Sequence, residues 1–225
     1  MIKSIIATVA DSLLKPAAPA YVELPIFPLG SVLFPGGTMA LKIFETRYMD
    51  MAKVCLKNAL PFGIALIADG NEAGIPATPH RIGTTARIAD WDMPDLGVLR
   101  VTVKGEARFR IIEQRSEKNG LIVATVESIA ADTNANTNTN AETVADSHEF
   151  EACARFLKKV ISQIDGAPYS HDEPMLMDAS WVSFRLTELL PFSGTIKQKM
   201  LELTDARMRL EVLHRFLLEQ QLIGA

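Results

Sequence analysis

The chain has 225 residues, a formal net charge of −4 and a pI near 5.6, and 48% of its residues are hydrophobic. This length and composition suit one large or two small domains, and the charge lacks the basic excess that DNA binding requires. Cys55 and Cys153 show no CxxC or Cys/His spacing, which argues against a disulfide framework and a zinc site. No apolar run reaches the ~18 to 20 residues of a membrane span. We therefore expect a cytoplasmic protein that binds neither DNA nor membranes and holds no metal.

Residues 1–20, MIKSIIATVADSLLKPAAPA, differ in composition from the rest of the chain. Lys3, a short apolar run and the small residues of PAAPA resemble a secretory signal, but Asp11 and Ser12 interrupt the run early. We expect a flexible or weakly helical N-terminal extension that ends in a Pro/Ala linker.

Residues 21–130 form a β-rich segment, with short runs such as YVELPIF, FGIALIA and LIVATVESI. Arg108 and Arg110 are expected on a solvated strand face, either in cross-strand ion pairs or in a shallow basic patch. The clearest alternation predicts a hairpin with a turn at Lys104–Gly105 and an inward face formed by Leu99, Val101, Val103, Ala107, Phe109 and Ile111.

One helix interrupts these strands, and it begins near Thr46, which can cap it, and ends before Pro61. Its apolar stripe includes Tyr48 and Cys55. Glu45 and Arg47 can either brace the junction between strand and helix or present a recognition surface, and bracing is favoured because a carboxylate near a helix N-terminus is stabilised by the dipole.

The stretch ELPIFPLGSVLFPGG, residues 23–37, is apolar but repeatedly interrupted by proline and glycine. Proline cannot donate a hydrogen bond to a strand ladder, so the stretch cannot be one uninterrupted central strand. Glycine allows the bends between short apolar pieces. A bent, closed or nearly closed sheet is the expected product.

A polar segment, residues 131–147, contains TNANTNTN and is expected to be a linker, because it cannot bury enough apolar area to offset its ordering entropy. After it, residues 148–225 show apolar residues at helical spacing, which predicts a small helical bundle. Thr195 and Gln198 have the spacing of a capping box, and Asp205 with Arg209 is expected as an exposed i,i+4 pair.

No catalytic motif emerges from these residues. A phosphate-binding GxxxxGK[ST] loop is absent, and no HExxH-type pair occurs among the four histidines. His171, Asp172 and Glu173 are adjacent, but Asp172 is better explained as a helix cap before Pro174. We expect no cofactor and no enzymatic activity.

Four stretches together resemble the N-terminal, substrate-binding domain of the ATP-dependent protease Lon, which also occurs as stand-alone proteins: ELPIFPLGSVLFPGGTMALKIFETRYMDMAKVCLKNALPFGIALI, GTTARI, GEARFRII and VSFRLTELLPFSGTIKQKMLELTDARMRLEVL. The resemblance covers about residues 21–217. It implies an α+β fold in which a PUA-like bent β-barrel half precedes a helical half, and a role in recognising protein substrates without catalysis. The polar insert at 132–140 departs from the family pattern.

We therefore expect a non-catalytic module that holds exposed hydrophobic segments of unfolded or partly unfolded proteins, with an ATP-dependent protease or a chaperone as a further candidate partner. An RNA-binding PUA-like module is the alternative, resting on fold analogy alone, and a small hydrolase is a weaker one. The expected substrate-binding residues come from the bent segment, the strand-to-helix junction and the WDMPD loop, and they are Phe34, Pro35, Phe44, Arg47, Trp91 and Met93.

Overall fold

A computed structural model of the protein describes residues 21–72, 77–132, 147–164 and 173–224. The strands are β1 (Tyr21–Leu29), β2 (Thr38–Ile43), β3 (Phe62–Asp69), β4 (Thr78–Pro79), β5 (Ile82–Asp95), β6 (Val98–Ser116) and β7 (Ile122–Ser128). The helices are α1 (Thr46–Asn58), α2 (His148–Ile161), α3 (Glu173–Leu176), α4 (Ala179–Leu189), α5 (Gly194–Glu202) and α6 (Ala206–Glu219). None of these helices is long and apolar enough to span a membrane.

Five strands close into a barrel. Antiparallel pairing runs in the order β1-β7-β6-β5-β3, and a parallel pairing between β1 and β3 closes the ring. Ile26 marks the change of partner within β1, because it pairs with Ile122 of β7 and with Gly63 of β3. β2 attaches to β6, and β4 attaches to β3. The expected α+β fold, with a barrel half followed by helices, is confirmed.

The proline-rich stretch begins inside a strand rather than between strands. Pro25 lies opposite Val123 and Pro28 opposite Ala65, on either side of the residue where β1 changes partner. The bend that the sequence predicts follows at residues 30–37. There Gly105 of β6 approaches so closely that an added Cβ would lie 2.3 Å from the carbonyl oxygen of Phe34, which requires glycine.

The predicted hairpin at Lys104–Gly105 is wrong, because β6 runs without a turn from Val98 to Ser116. The turn lies earlier, at Gly97, whose φ of 83° suits glycine. Ala107 is exposed rather than inward, since a β-bulge shifts the register against β5 between Gly105 and Arg108. The other predicted inward residues are buried as expected, namely Leu99, Val101, Val103, Phe109 and Ile111.

The helix caps differ from the predicted ones. Glu45 is the N-cap residue of α1, which begins at Thr46, and Ser193 caps α5 by accepting a hydrogen bond from the backbone of Ile196. The capping box at Thr195 and Gln198 is therefore wrong. Gln198 instead donates its side-chain amide to the carbonyl oxygen of Ile82 at 3.0 Å, in the barrel half.

Asp132, expected in the polar linker, is a buried junction between the two halves. Its carboxylate accepts hydrogen bonds from Arg108 of β6 at 2.6 Å, from Ser180 of α4 at 2.6 Å and from Arg209 of α6. Its side chain is only 2% exposed. The solvated position of Arg108 and the exposed Asp205–Arg209 pair are both wrong, because the helical half covers Arg108, and Arg209 turns inward to Asp132.

The two halves also share an apolar core. Phe34 and Ile82 of the barrel half form one buried cluster with Phe184 and Leu201 of the helices. The guanidinium of Arg209 stacks over the Phe184 ring, 4.0 Å from its centre. Residues 133–146, which contain the rest of the predicted linker, lie outside the described residues.

Candidate functional site

Two of the six predicted site residues are buried. Phe34 is fully buried, with its ring centre 5.7 Å from that of Phe184. Arg47 donates to the carbonyl oxygen of Gly120 at 3.1 Å and to the carboxylate of Glu45 at 2.8 Å. Both side chains hold elements together and are largely withdrawn from solvent.

Pro35, half-buried, is held by the helical half, because its carbonyl oxygen accepts a hydrogen bond of 2.9 Å from Arg185. Phe44 and Trp91 are 58% and 56% exposed, and Met93 is also exposed. Trp91 and Met93 lie in β5 and not in the predicted loop, since β5 continues to Asp95. Three of the six residues thus present large apolar side chains to solvent.

Phe44 lies at the end of a groove that we call the β1–β2 groove. It has a volume of about 410 Å³, within the range typical of ligand sites. Phe27 and Tyr48 stack on one another in its wall with ring centres 4.0 Å apart. The lining comes from β1, β2 and α1 and from the segments that follow β1, β2 and β3. It consists of Phe27, Leu29, Ser31, Met39–Glu45, Tyr48 and Glu72.

One side of this groove is an unpaired strand edge. Among the described residues, β2 pairs with β6 alone, and β1 beyond Ile26 pairs with β3 on the side away from β7. β1 and β2 therefore face one another across the groove without a ladder between them. An edge of this kind offers backbone N–H and C=O groups to another chain.

The alternation of hydrogen bonds between β2 and β6 identifies which backbone groups of β2 are not bonded to β6. The N–H of Gly105 donates to the carbonyl of Gly37 at 2.8 Å, and the carbonyl of Gly105 accepts from the N–H of Gly36 at 2.9 Å, so the hydrogen-bonded pairs of the ladder begin at Gly37. Because such pairs alternate along an antiparallel ladder, every second residue after Gly37 bonds to β6. The N–H and C=O groups of Thr38, Ala40 and Lys42 consequently point towards the groove.

Side chains along β2 follow the same alternation. Leu41 and Ile43 are buried towards the barrel interior, whereas Ala40 and Lys42 are exposed on the outer face. Ala40 and Lys42 also line a shallow depression with Trp91 of β5. Of the exposed aromatic residues, Phe44 thus lies beside the open edge, whereas Trp91 of β5 is separated from β2 by β6.

The groove is predominantly apolar, with charges at its margins. Glu72 accepts a hydrogen bond from the N–H of Gly30 at one end, and Glu45 is paired with Arg47 at the other. Burial raises the pKa of the Tyr48 phenol more than the neighbouring Arg47 lowers it, so the phenol stays neutral. Such a lining suits apolar side chains and a hydrogen-bonding backbone.

The described part of the chain contains no group of three or more His, Cys, Asp or Glu side chains that could hold a metal ion. His171 and Asp172, considered above as a possible ligand cluster, lie outside the described residues. Cys153 is buried, and burial raises the pKa of its thiol to about 12, which keeps it protonated.

The chain matches a known family. The family model for the substrate-binding domain of the ATP-dependent protease La (Lon) matches residues 23–219, which is most of the chain. The chain belongs to the Lon substrate-binding domain family. The resemblance seen in the sequence is thereby confirmed.

Solved structures of this family have the same fold. A Lon N-terminal domain protein from Xanthomonas campestris is 34% identical, with a TM-score of 0.64 over 85% of this chain and 96% of the other. The N-terminal domain of Lon protease from the Mycobacterium avium complex gives a TM-score of 0.56 over the same shares at 18% identity, which shows the fold alone.

A more distant relative is protein cereblon from Xenopus tropicalis. It is 28% identical over 109 residues, which are 47% of this chain and 23% of cereblon. The chain therefore spans less than a quarter of the length of this relative.

Sequence reasoning selected Phe44, which is exposed in the structure, but missed the open edge of β2. The alternation in TMALKI indicates a strand, and it also predicts which side chains turn inward. Which edge of that strand is unpaired depends on the barrel closing through β1 and β3, and no local pattern reports this.

Proposed function

We propose that this member of the Lon substrate-binding domain family binds extended apolar segments of unfolded or partly unfolded proteins in the β1–β2 groove. The observation that carries the proposal is the unpaired edge of β2 beside an apolar wall. Strand addition to an open edge is a recurring mode of peptide recognition. The family, described as substrate-binding, supports protein segments as ligands.

The hydrogen bonds in this mode come from the backbone. The open N–H and C=O groups of Thr38, Ala40 and Lys42 would pair with any extended segment, whatever its sequence. Alternate side chains of the client would then point to the wall formed by Phe27 and Tyr48. Selectivity would favour apolar residues at every second position, and proline would be disfavoured where its N–H is needed.

Binding of this kind should be weak. A flexible client loses conformational entropy when it is captured, and no buried charge in the groove anchors it. We expect dissociation constants of about ten to a hundred micromolar, which correspond to about 5.5–7 kcal/mol. A weak module of this type is useful when it works with an ATP-dependent protease or a chaperone that acts on the captured client.

The test uses Ala40→Pro. The N–H of Ala40 points away from β6, so proline removes no ladder bond, and it is tolerated at such edge positions. Proline does remove one donor from the groove, and its ring occupies the space beside the edge. Ala40→Val is the matched control, because it adds apolar volume and keeps the N–H.

Affinity is measured by fluorescence anisotropy of a labelled, permanently unfolded protein, with apolar peptides as competitors. We expect saturable binding by the wild type and by Ala40→Val, and at least tenfold weaker binding by Ala40→Pro at an unchanged melting temperature. Equal affinity of all three chains would refute strand addition at β2. Absence of saturable binding by the wild type at about 100 µM would refute the function itself.

A further inference from the structure

A second apolar groove, the β1–α1 groove, lies between the start of β1 and helix α1. It has a volume of about 390 Å³. Three of its side chains are large, apolar and roughly half exposed: Val22 at 57%, Val54 at 53% and Leu60 at 49%. Its buried floor is formed by Leu24, Met51 and Cys55. Exposed apolar residues grouped in this way indicate a surface that another segment covers.

The chain itself supplies a matching segment next to this groove. Residues 1–20 precede Tyr21 directly, and Val22, the second residue of β1, already lines the groove. Residues 15–20, KPAAPA, form a tether that can span at most about 20 Å. Whatever precedes the tether is therefore confined to the neighbourhood of the β1–α1 groove, and a short tether of this kind gives an effective concentration on the order of millimolar.

The sequence of residues 2–14 fits an apolar groove. Its apolar side chains recur at the spacing of one helix face, and polar residues such as Lys3, Ser4 and Asp11 fall between them. An isolated helix of this length is marginal in water, so it requires a surface on which to bury its stripe. The stripe consists of Ile2, Ile5, Ile6, Val9 and Leu13.

We propose that residues 2–14 dock intramolecularly on the β1–α1 groove with this apolar stripe facing Val22, Val54 and Leu60. The docked segment covers an apolar surface that would otherwise be open to solvent. The site is separate from the β1–β2 groove, so the proposal does not depend on the proposed function. Its consequence is that the N-terminal segment shields the domain from self-association through this face.

Hydrogen exchange followed by mass spectrometry tests the docking in the full chain. We expect amides of residues 2–14 to exchange at least tenfold more slowly than an unstructured peptide of the same sequence. Val54→Lys should return them to the unstructured rate, because the ammonium group would lie in the groove. Val54 is solvent-exposed and Asp50 lies four residues earlier, so the substitution adds an i,i+4 ion pair and should not unfold α1.

Val212→Lys is the control, since Val212 is 49% exposed on α6 and does not line this groove. It should leave the protection of residues 2–14 unchanged. The proposal is overturned if the wild type exchanges at the unstructured rate, or if Val54→Lys retains full protection. It is also overturned if protection rises with protein concentration, because the segment would then dock on another molecule.

Discussion

Asp132 should be among the most sensitive positions of the chain, although it lies at the start of a polar, low-complexity stretch. Its carboxylate is the acceptor for two buried arginines, Arg108 and Arg209, and for the hydroxyl of Ser180. Asp132→Asn keeps the size of the side chain but removes its charge. The two guanidinium groups would then face one another in a buried site without the carboxylate that both of them contact.

Removing one partner from a buried ion pair costs about 3–5 kcal/mol, because the remaining charge stays desolvated and unpaired. Burial already lowers the pKa of Arg209, and the Asp132 carboxylate is the main influence that opposes this. The total stability of a domain is about 5–15 kcal/mol. We therefore expect Asp132→Asn to lose a large share of the stability of the fold.

Urea unfolding followed by circular dichroism measures this loss as a change in the free energy of unfolding. Glu23→Gln is the control, since it breaks an ion pair with Arg115 in which both side chains are exposed. It should leave the unfolding midpoint nearly unchanged. A loss below about 1 kcal/mol in Asp132→Asn would refute the view that this carboxylate joins the two halves.

Two further predictions concern stability. Gly105→Ala should destabilise the fold by about 1–3 kcal/mol or more, because the added Cβ would meet the carbonyl oxygen of Phe34. Gly194→Ala is the control, since a Cβ there would lie 3.6 Å from its nearest neighbour, a methyl group of Leu66. It should be neutral or stabilising in the same urea titration. The Cys153 thiol has a pKa of about 12 in the folded state against an ordinary value of 9.0, so it stabilises the fold below pH 9 and this contribution is lost as pH rises towards 12. The free energy of unfolding should fall by up to about 1.4 kcal/mol per pH unit from this thiol above pH 9, and a wild-type slope no steeper than that of Cys153→Ala would contradict the assignment.

The sequence predicts the features that depend on local patterns. Alternation in β6 identifies Leu99, Val101 and Val103 as inward, and the proline and glycine residues of the stretch 23–37 predict a bent sheet. Apolar residues at helical spacing likewise predict α2, and the structure shows that Phe150 and Leu157 of this helix are buried. In these cases the residue type and its spacing carry the information.

The sequence does not predict the contacts between distant polar residues. Asp132 and Gln198 are of types usually found at the surface, and nothing beside them in sequence shows that they are buried. Their partners, Arg209 and the carbonyl of Ile82, lie 77 and 116 residues away. Such pairs form only when the helices pack on the barrel.

The same limit applies to the candidate site. Phe44 and Trp91 could be selected as large apolar residues near turns, yet Phe34, of the same type, is fully buried. The difference arises because α4 places Phe184 over Phe34, whereas no described element covers Phe44. Exposure of an aromatic residue is a property of the assembled fold.

The amide hydrogens of β2 provide the most direct test of the central claim that clients add as a strand to this edge. Exchange rates can be measured by NMR with and without a saturating apolar peptide. We expect the amides of Ala40 and Lys42 to exchange fast in the unliganded chain and slowly in the complex, while that of Leu41, bonded to β6, is slow in both. If the peptide binds and the Ala40 and Lys42 amides still exchange fast, the client is held elsewhere and the account is contradicted.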